Sequence, residues 1–128
     1  MPIRSLEQLH SARRLVQQWA TRLDFSALER TKLVTAASEL GRNTLKHGQG
    51  GSMTITELEV QARVGIQLHF EDSGPGIKDI EQALTDGFST AKSLGHGLGG
   101  ARRLVNEFEI QSQPGAGTRV TVRLWKRR

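Results

Sequence analysis

The hydrophobic pattern of this chain changes period after its first two segments, and that change constrains the fold more than any other feature. Apolar residues first recur at Leu6, Leu9, Ala12, Leu15, Val16, Trp19, Ala20 and Leu23, the three-and-four spacing of an amphipathic helix. Ser26 and Glu29 then form a capping-box signature, and Leu28, Leu33, Ala36, Ala37 and Leu40 continue a second apolar stripe toward Leu45. Gly48, Gln49, Gly50 and Gly51 end this second helix just past His47. From there the period is two: Met53, Ile55 and Leu58, then Val64, Ile66, Leu68 and Phe70, with a turn near 61–63. Helices come first as a block and paired antiparallel strands follow, so helices must cover a sheet rather than alternate with its strands.

The second half repeats both patterns on a smaller scale. A loop over 72–77 leads to a short helix around 80–84, and the polar stretch 86–96 has the composition of a mobile loop. Leu98, Ala101, Leu104 and Val105 suit a third main helix. Phe108 and Ile110 open a strand, residues 114–117 turn, and Val120, Val122 and Leu124 alternate along a last strand. The expected fold is a two-layer α+β sandwich, with helices on one face of a mixed, mostly antiparallel sheet. At 128 residues it is expected to be one domain, 1–128.

Composition narrows the function classes. The absence of cysteine excludes disulfides and thiolate metal sites and suits the cytosol. No apolar run approaches the roughly 18 residues of a membrane span, and no signal-like start is present. A cytoplasmic protein with no membrane partner is expected. The net charge of +5 raises the question of nucleic acid. However, the basic residues are dispersed as Arg13/Arg14, Arg102/Arg103 and Lys126/Arg127/Arg128, without interleaved aromatics, which argues against it. Such a surface suits an acidic protein or nucleotide phosphates better.

Three clusters carry chemistry. Glu39 and Asn43 lie four residues apart and project from one helix face beside the stripe of Ala36, Ala37 and Leu40, with His47 a turn further on. A carboxylate and a carboxamide so placed can hold a water, a nucleophile or a hard cation such as Mg²⁺, and they also fit an ordinary solvated face. Asp72 follows a strand and precedes Ser73-Gly74-Pro75-Gly76; it can accept from a buried base, or close an Asx-type turn. Gly95, Gly97 and Gly100 match G-x-G-x-x-G formally, but the preceding polar loop is no strand, so a dinucleotide fingerprint is rejected. What remains is a glycine-rich entry to the third helix, whose free N–H groups suit phosphates.

In order and spacing, these clusters resemble the boxes of the GHKL (Bergerat-fold) ATPase/kinase superfamily. Glu39-Leu40-Gly41-Arg42-Asn43 looks like its N box, Asp72-Ser73-Gly74-Pro75-Gly76 like its G1 box, and Gly95-His96-Gly97-Leu98-Gly99 like its G2 box. Gly117-Thr118 resembles its final threonine motif. Ser38-Glu39-Leu40, Gly74-Pro75-Gly76-Ile77 and Asp86-Gly87-Phe88-Ser89-Thr90 are most similar to RsbT-type serine/threonine switch kinases of the stressosome.

The resemblance implies ATP and Mg²⁺ as cofactors. Glu39 would be the general base, Asn43 the Mg²⁺ ligand and Asp72 the acceptor for the adenine amino group, helped by Thr118 through a water. Gly74, Gly76 and Ile77 would line the base, and Gly95, His96, Gly97, Leu98 and Gly99 would wrap the phosphates beneath a lid over 86–94. It implies STAS-domain substrates, of antagonist and scaffold type, and a downstream phosphatase or signalling enzyme. Such kinases often open on a strand; here only residues 2–5 precede the first helix, which leaves the edge strand, and a homodimer made through it, open. An anti-sigma factor of the same superfamily and a pure interaction domain with a decayed ATP site are the alternatives.

Overall fold

A computed structural model describes residues 1–77, 79–80, 84 and 98–127. Within them β1 (Pro2–Ile3), α1 (Leu6–Arg22), α2 (Ala27–Lys46), β2 (Gly51–Val60), β3 (Arg63–Asp72), α3 (Leu98–Leu104), β4 (Glu107–Ser112) and β5 (Thr118–Trp125) follow one another. Of the helix expected around 80–84 only Ile80 and Leu84 are described, both helical; the rest of it, with the expected lid over 86–94, lies outside the described residues.

Local chemistry sets the helix ends. Ser5 caps α1, its hydroxyl accepting from Gln8 N at 3.1 Å. The helix stops in a Schellman motif: Asp24 takes a left-handed φ of 63°, Phe25 N donates to Ala20 O, and Asp24 N to Thr21 O. Aspartate fills the position glycine usually holds, so this stop carries no glycine signal. At Ser26 the expected capping box is complete: Glu29 N donates to Ser26 Oγ at 3.1 Å, and Ser26 N to Glu29 Oε1 at 2.8 Å. Glu29 Oε2 also accepts Arg127 N at 2.7 Å, which ties the C-terminal end to the start of α2.

The sheet runs β1-β2-β3-β5-β4, and every ladder among the described strands is antiparallel, so the mixed character expected from sequence is absent there. The β2–β3 hairpin turns on Gln61 and Ala62, both at positive φ. β1 completes the edge that the short N-terminus left open: Pro2 pairs with Ser52 and Ile3 with Gly51. Ile3, wholly buried, anchors it to the core.

Alternation gives the sheet one helix-covered face. In register, Met53, Phe70, Val120 and Ile110 form one cross-strand row, and Ile55, Leu68, Val122 and Phe108 the next. These rows pack against Leu33, Ala36, Ala37 and Leu40 of α2 and Leu98 and Ala101 of α3 in a single core. The opposite face is polar. There Arg123 reaches both Glu107 and Glu109 at 3.0 Å, and the Arg63 guanidinium lies 5.2 Å from the Trp125 ring centre.

Candidate functional site

One further row of the helix-facing surface leaves the apolar core. Asp72 lies two residues past Phe70 and so points to the same side. It is paired with Gly51 on one strand and with Thr118 on the other, and Thr118 is paired in turn with Ser112. The core row Met53-Phe70-Val120-Ile110 is therefore followed by Gly51-Asp72-Thr118-Ser112, a carboxylate and two hydroxyls beneath the C-terminal end of α2.

Asn43, His47, Gly48, Asp72, Gly76, Ile77 and Thr118 line one cleft there, of volume ≈ 10 Å³, room for about one water. Asn43 and Thr118 are each only 5% exposed and Asp72 8%. Buried polar groups at this density need partners, and Asp72 has two backbone donors, Gly74 N at 2.9 Å and Thr118 N. Burial nevertheless dominates and pushes the Asp72 carboxyl above the usual aspartate value; Glu71 nearby adds to this, and the two N–H bonds oppose it.

His47 lies at the end of α2, where the helix dipole favours a protonated ring. Burial, reinforced by the Lys46 charge, instead pushes its pKa below the ordinary histidine value, so the ring meeting the cleft is neutral at pH 7.

The loop after β3 is fixed to the β4–β5 hairpin. Gly115 N donates to Pro75 O at 2.7 Å, and Ile77 N donates to Ser112 Oγ at 2.7 Å. Gly76 has φ +78°, and a Cβ there would come within 2.0 Å of Gln113 O, so no other residue passes this point.

The structure thus brings Asn43, Asp72, Gly76, Ile77 and Thr118 together, and Gly74 joins them through its bond to Asp72. Leu98 and Gly99 are buried in the first turn of α3, which packs on α2. Gly95, His96 and Gly97 lie outside the described residues. Glu39 is not part of the cleft lining. It sits one turn before Asn43, half exposed, with Oε1 3.1 Å from Arg42 Nη1.

Ser112 is the residue that sequence reasoning missed: a lone serine at a strand end carries no signature, and only the β4–β5 register puts it beside Thr118. Gly48 was legible as a helix breaker, although its closeness to Asp72 was not. For a metal, no cluster of three His, Asp or Glu side chains exists among the described residues. The donor set, one carboxamide on a buried helix face, fits a Mg²⁺ that arrives with phosphates and keeps most of its waters, and not a dedicated protein cage.

A two-layer α+β sandwich with a buried carboxylate at the end of its helix-covered sheet face defines a class, the ATP-binding domains of GHKL type. More particularly, residues 4–124 match the family described as Histidine kinase-like ATPase domain, and the chain belongs to it. The chain is 38% identical over 117 residues to the Serine/threonine-protein kinase RsbT of Bacillus subtilis (strain 168), covering 91% of this chain and 88% of that one. It is 32% identical over 115 residues to the Anti-sigma F factor of Thermoanaerobacter sp. (strain X514), with 85% and 79% covered. The catalytic domain of the histidine kinase ThkA superposes with a TM-score of 0.56 over 98% of this chain and 95% of that one, at 18% identity, a likeness of fold.

Proposed function

We propose that this chain is a serine/threonine protein kinase that transfers the γ-phosphoryl group of ATP–Mg²⁺ to STAS-domain proteins of a partner-switching module. Released from these proteins, it then activates a downstream phosphatase or signalling enzyme. The observation that carries this reading is the convergence of Asn43, Asp72 and Thr118 on one cleft, with Glu39 a single helical turn from Asn43. The similarity to a relative named as a serine/threonine kinase over nine tenths of the chain supports it.

In this reading Asp72 accepts from the exocyclic amino group of adenine, a role suited to a carboxylate already oriented by two N–H donors. Asn43 holds the Mg²⁺ brought by the nucleotide, and the metal supplies charge neutralisation on the phosphates. Leu98 and Gly99, with Gly95, His96 and Gly97, border the phosphates. Glu39 takes the proton of the substrate hydroxyl as its oxygen bonds to the γ-phosphorus, and ADP departs with the electrons of the broken P–O bond. Entry of the base requires the walls of the ≈ 10 Å³ cleft to part.

Incubation with γ-labelled ATP, Mg²⁺ and cognate STAS proteins tests the assignment. Label should appear on the substrate with the wild-type chain and be lost with Glu39→Gln; equal labelling by both, or none by either, contradicts it.

A second reading is favoured by the anti-sigma F relatives: a kinase that also sequesters a sigma factor. Capture of sigma factor by the immobilised chain in the presence of ATP supports it, and retention of STAS proteins alone supports the first reading.

A further inference from the structure

We propose that Ser112 sets the hydrogen-bonding polarity of the nucleotide cleft by fixing the direction of the Thr118 hydroxyl, and that it is thereby a specificity-determining positioning residue. The inference rests on the ATP-binding reading above and deepens it.

The argument is a count of protons. A serine hydroxyl has one proton and two acceptor lone pairs. Ser112 Oγ has three partners: Ile77 N at 2.7 Å, Gly117 O at 3.0 Å and Thr118 Oγ1 at 2.8 Å. Ile77 N–H can only donate, so it takes one lone pair. Gly117 O can only accept, so it takes the proton. The third contact is satisfied only if Thr118 donates its own hydroxyl proton to the second lone pair of Ser112. The Thr118 proton is then turned away from the cleft, and its remaining lone pairs are what the hydroxyl offers there.

The consequence is chemical selectivity. Asp72 and Thr118 sit side by side in register and are both acceptors toward the cleft. Such a floor matches a base edge that presents an amino group, directly or through the single water the cleft can hold. It repels one that presents a carbonyl. A Thr118 hydroxyl free to rotate would turn its proton inward and tolerate the carbonyl.

ATP and inosine triphosphate differ at this edge, an amino group beside an unprotonated N1 against a carbonyl oxygen beside an N1–H, and are the probes; the amino-to-carbonyl exchange faces Asp72, whereas N1 in either base can pair with a bridging water, which donates or accepts as required. Dissociation constants for both, with Mg²⁺, are measured on the wild-type chain and on Ser112→Ala, Ser112→Cys and Ser112→Thr. Wild type should prefer ATP. Ser112→Ala should narrow the ATP-to-ITP preference about tenfold, the worth of one hydrogen bond, mostly by binding ITP better. Ser112→Thr, which keeps the hydroxyl, should restore the preference.

A merely structural Ser112 weakens both nucleotides equally, so an unchanged ratio in Ser112→Ala overturns the inference while leaving the ATP reading intact. Should Ser112→Ala fail to fold, as thermal unfolding would reveal, the same ratio is read on Ser112→Cys, whose thiol is a poor acceptor and carries the same expectation. Binding of neither nucleotide by the wild type overturns both readings.

Discussion

A Cβ placed on Gly48 would lie 2.4 Å from Asp72 Oδ2 and 2.3 Å from its Cγ. The residue that ends α2 is thus also the floor against which the buried carboxylate rests. Gly74 closes the stack, since a Cβ there would meet the Gly48 backbone at 2.7–2.9 Å. Gly48→Ala should push Asp72 from the cleft. We expect a loss of about 1–3 kcal/mol in unfolding free energy and a nucleotide affinity at least roughly tenfold weaker, about 1.4 kcal/mol. Gly100→Ala is the control: nothing lies within 4 Å of a Cβ there, and an exposed helical alanine should add stability, up to about 1 kcal/mol. Chemical denaturation and titration calorimetry on both variants decide it, and equal behaviour of the two would count against the stack.

The raised pKa of Asp72 has a pH consequence of definite sign. Its folded-state value lies above the usual aspartate value of 3.8, so lowering the pH protonates it in the native protein before it would protonate in the unfolded chain. The folded state binds that proton more tightly, and stability from this group grows as pH falls through the folded value. Nucleotide binding runs the other way, because a protonated carboxyl no longer presents two acceptors. ATP affinity should fall on acidification at a pH above that expected of an ordinary aspartate. Asp72→Asn should flatten this part of the profile and lower affinity at neutral pH about a hundredfold or more, the cost of a charge-assisted bond, while leaving thermal unfolding nearly unchanged. Calorimetric titrations across pH 4–8 provide the check.

How much of this was legible in the chain follows from which interactions are local. The capping box at Ser26 and Glu29, the helix break after His47 and the β2–β3 hairpin all depend on neighbours within a few residues, and each lies where the periodicity put it. Asn43 and Asp72 stood out locally, on a helix face and at a strand end, and Thr118 by motif resemblance alone; that the three converge depends on strand register and on how α2 packs over the sheet, which no local pattern gives. Ser112 had no motif to announce it: its contacts with Gly117 and Thr118 lie within the β4–β5 hairpin, but the third, from Ile77 N, joins residues 35 apart that no local pattern brings together. The Asp24 helix stop was hidden for the opposite reason, an uncommon residue in a common motif.

The contact between Glu39 and Arg42 allows the proposed role of Glu39 as a base to be tested apart from that of its neighbour. The pair is exposed, 36% and 55%, so solvent screens it and it should be worth no more than about 1 kcal/mol. Arg42→Ala should therefore leave unfolding within about 0.5 kcal/mol of wild type, with phosphotransfer within about threefold. Glu39→Gln should keep ATP affinity and lower phosphotransfer by about 10²–10⁴-fold, as expected for loss of a general base. Single-turnover labelling combined with equilibrium binding separates the two effects. Loss of ATP binding in Glu39→Gln would assign the residue to nucleotide binding rather than to catalysis.

Glu29 gives the opposite pH signature to Asp72, which makes the two separable. Burial raises its pKa and is the largest single influence, but the N–H bonds from Ser26 and Arg127, the Ser26 hydroxyl and the Arg127 charge together outweigh it, so the folded value lies below the usual 4.5. A depressed carboxylate stabilises the fold above its unfolded pKa, and that contribution is lost as pH falls through the lower, folded value. Glu29→Gln keeps an oxygen for Ser26 N but loses the charge and the acceptor for Arg127 N, so it should destabilise at pH 7 by about 1–2 kcal/mol, the range for a charge-assisted bond, and by much less near pH 3. Because Arg127 N is held 2.7 Å from Glu29 Oε2, removing residues 127–128 should reproduce part of the loss in the wild type and little in the variant. Denaturation of all four proteins at both pH values forms a double-mutant cycle, in which strict additivity at pH 7 would show that the C-terminal contact and the cap act independently.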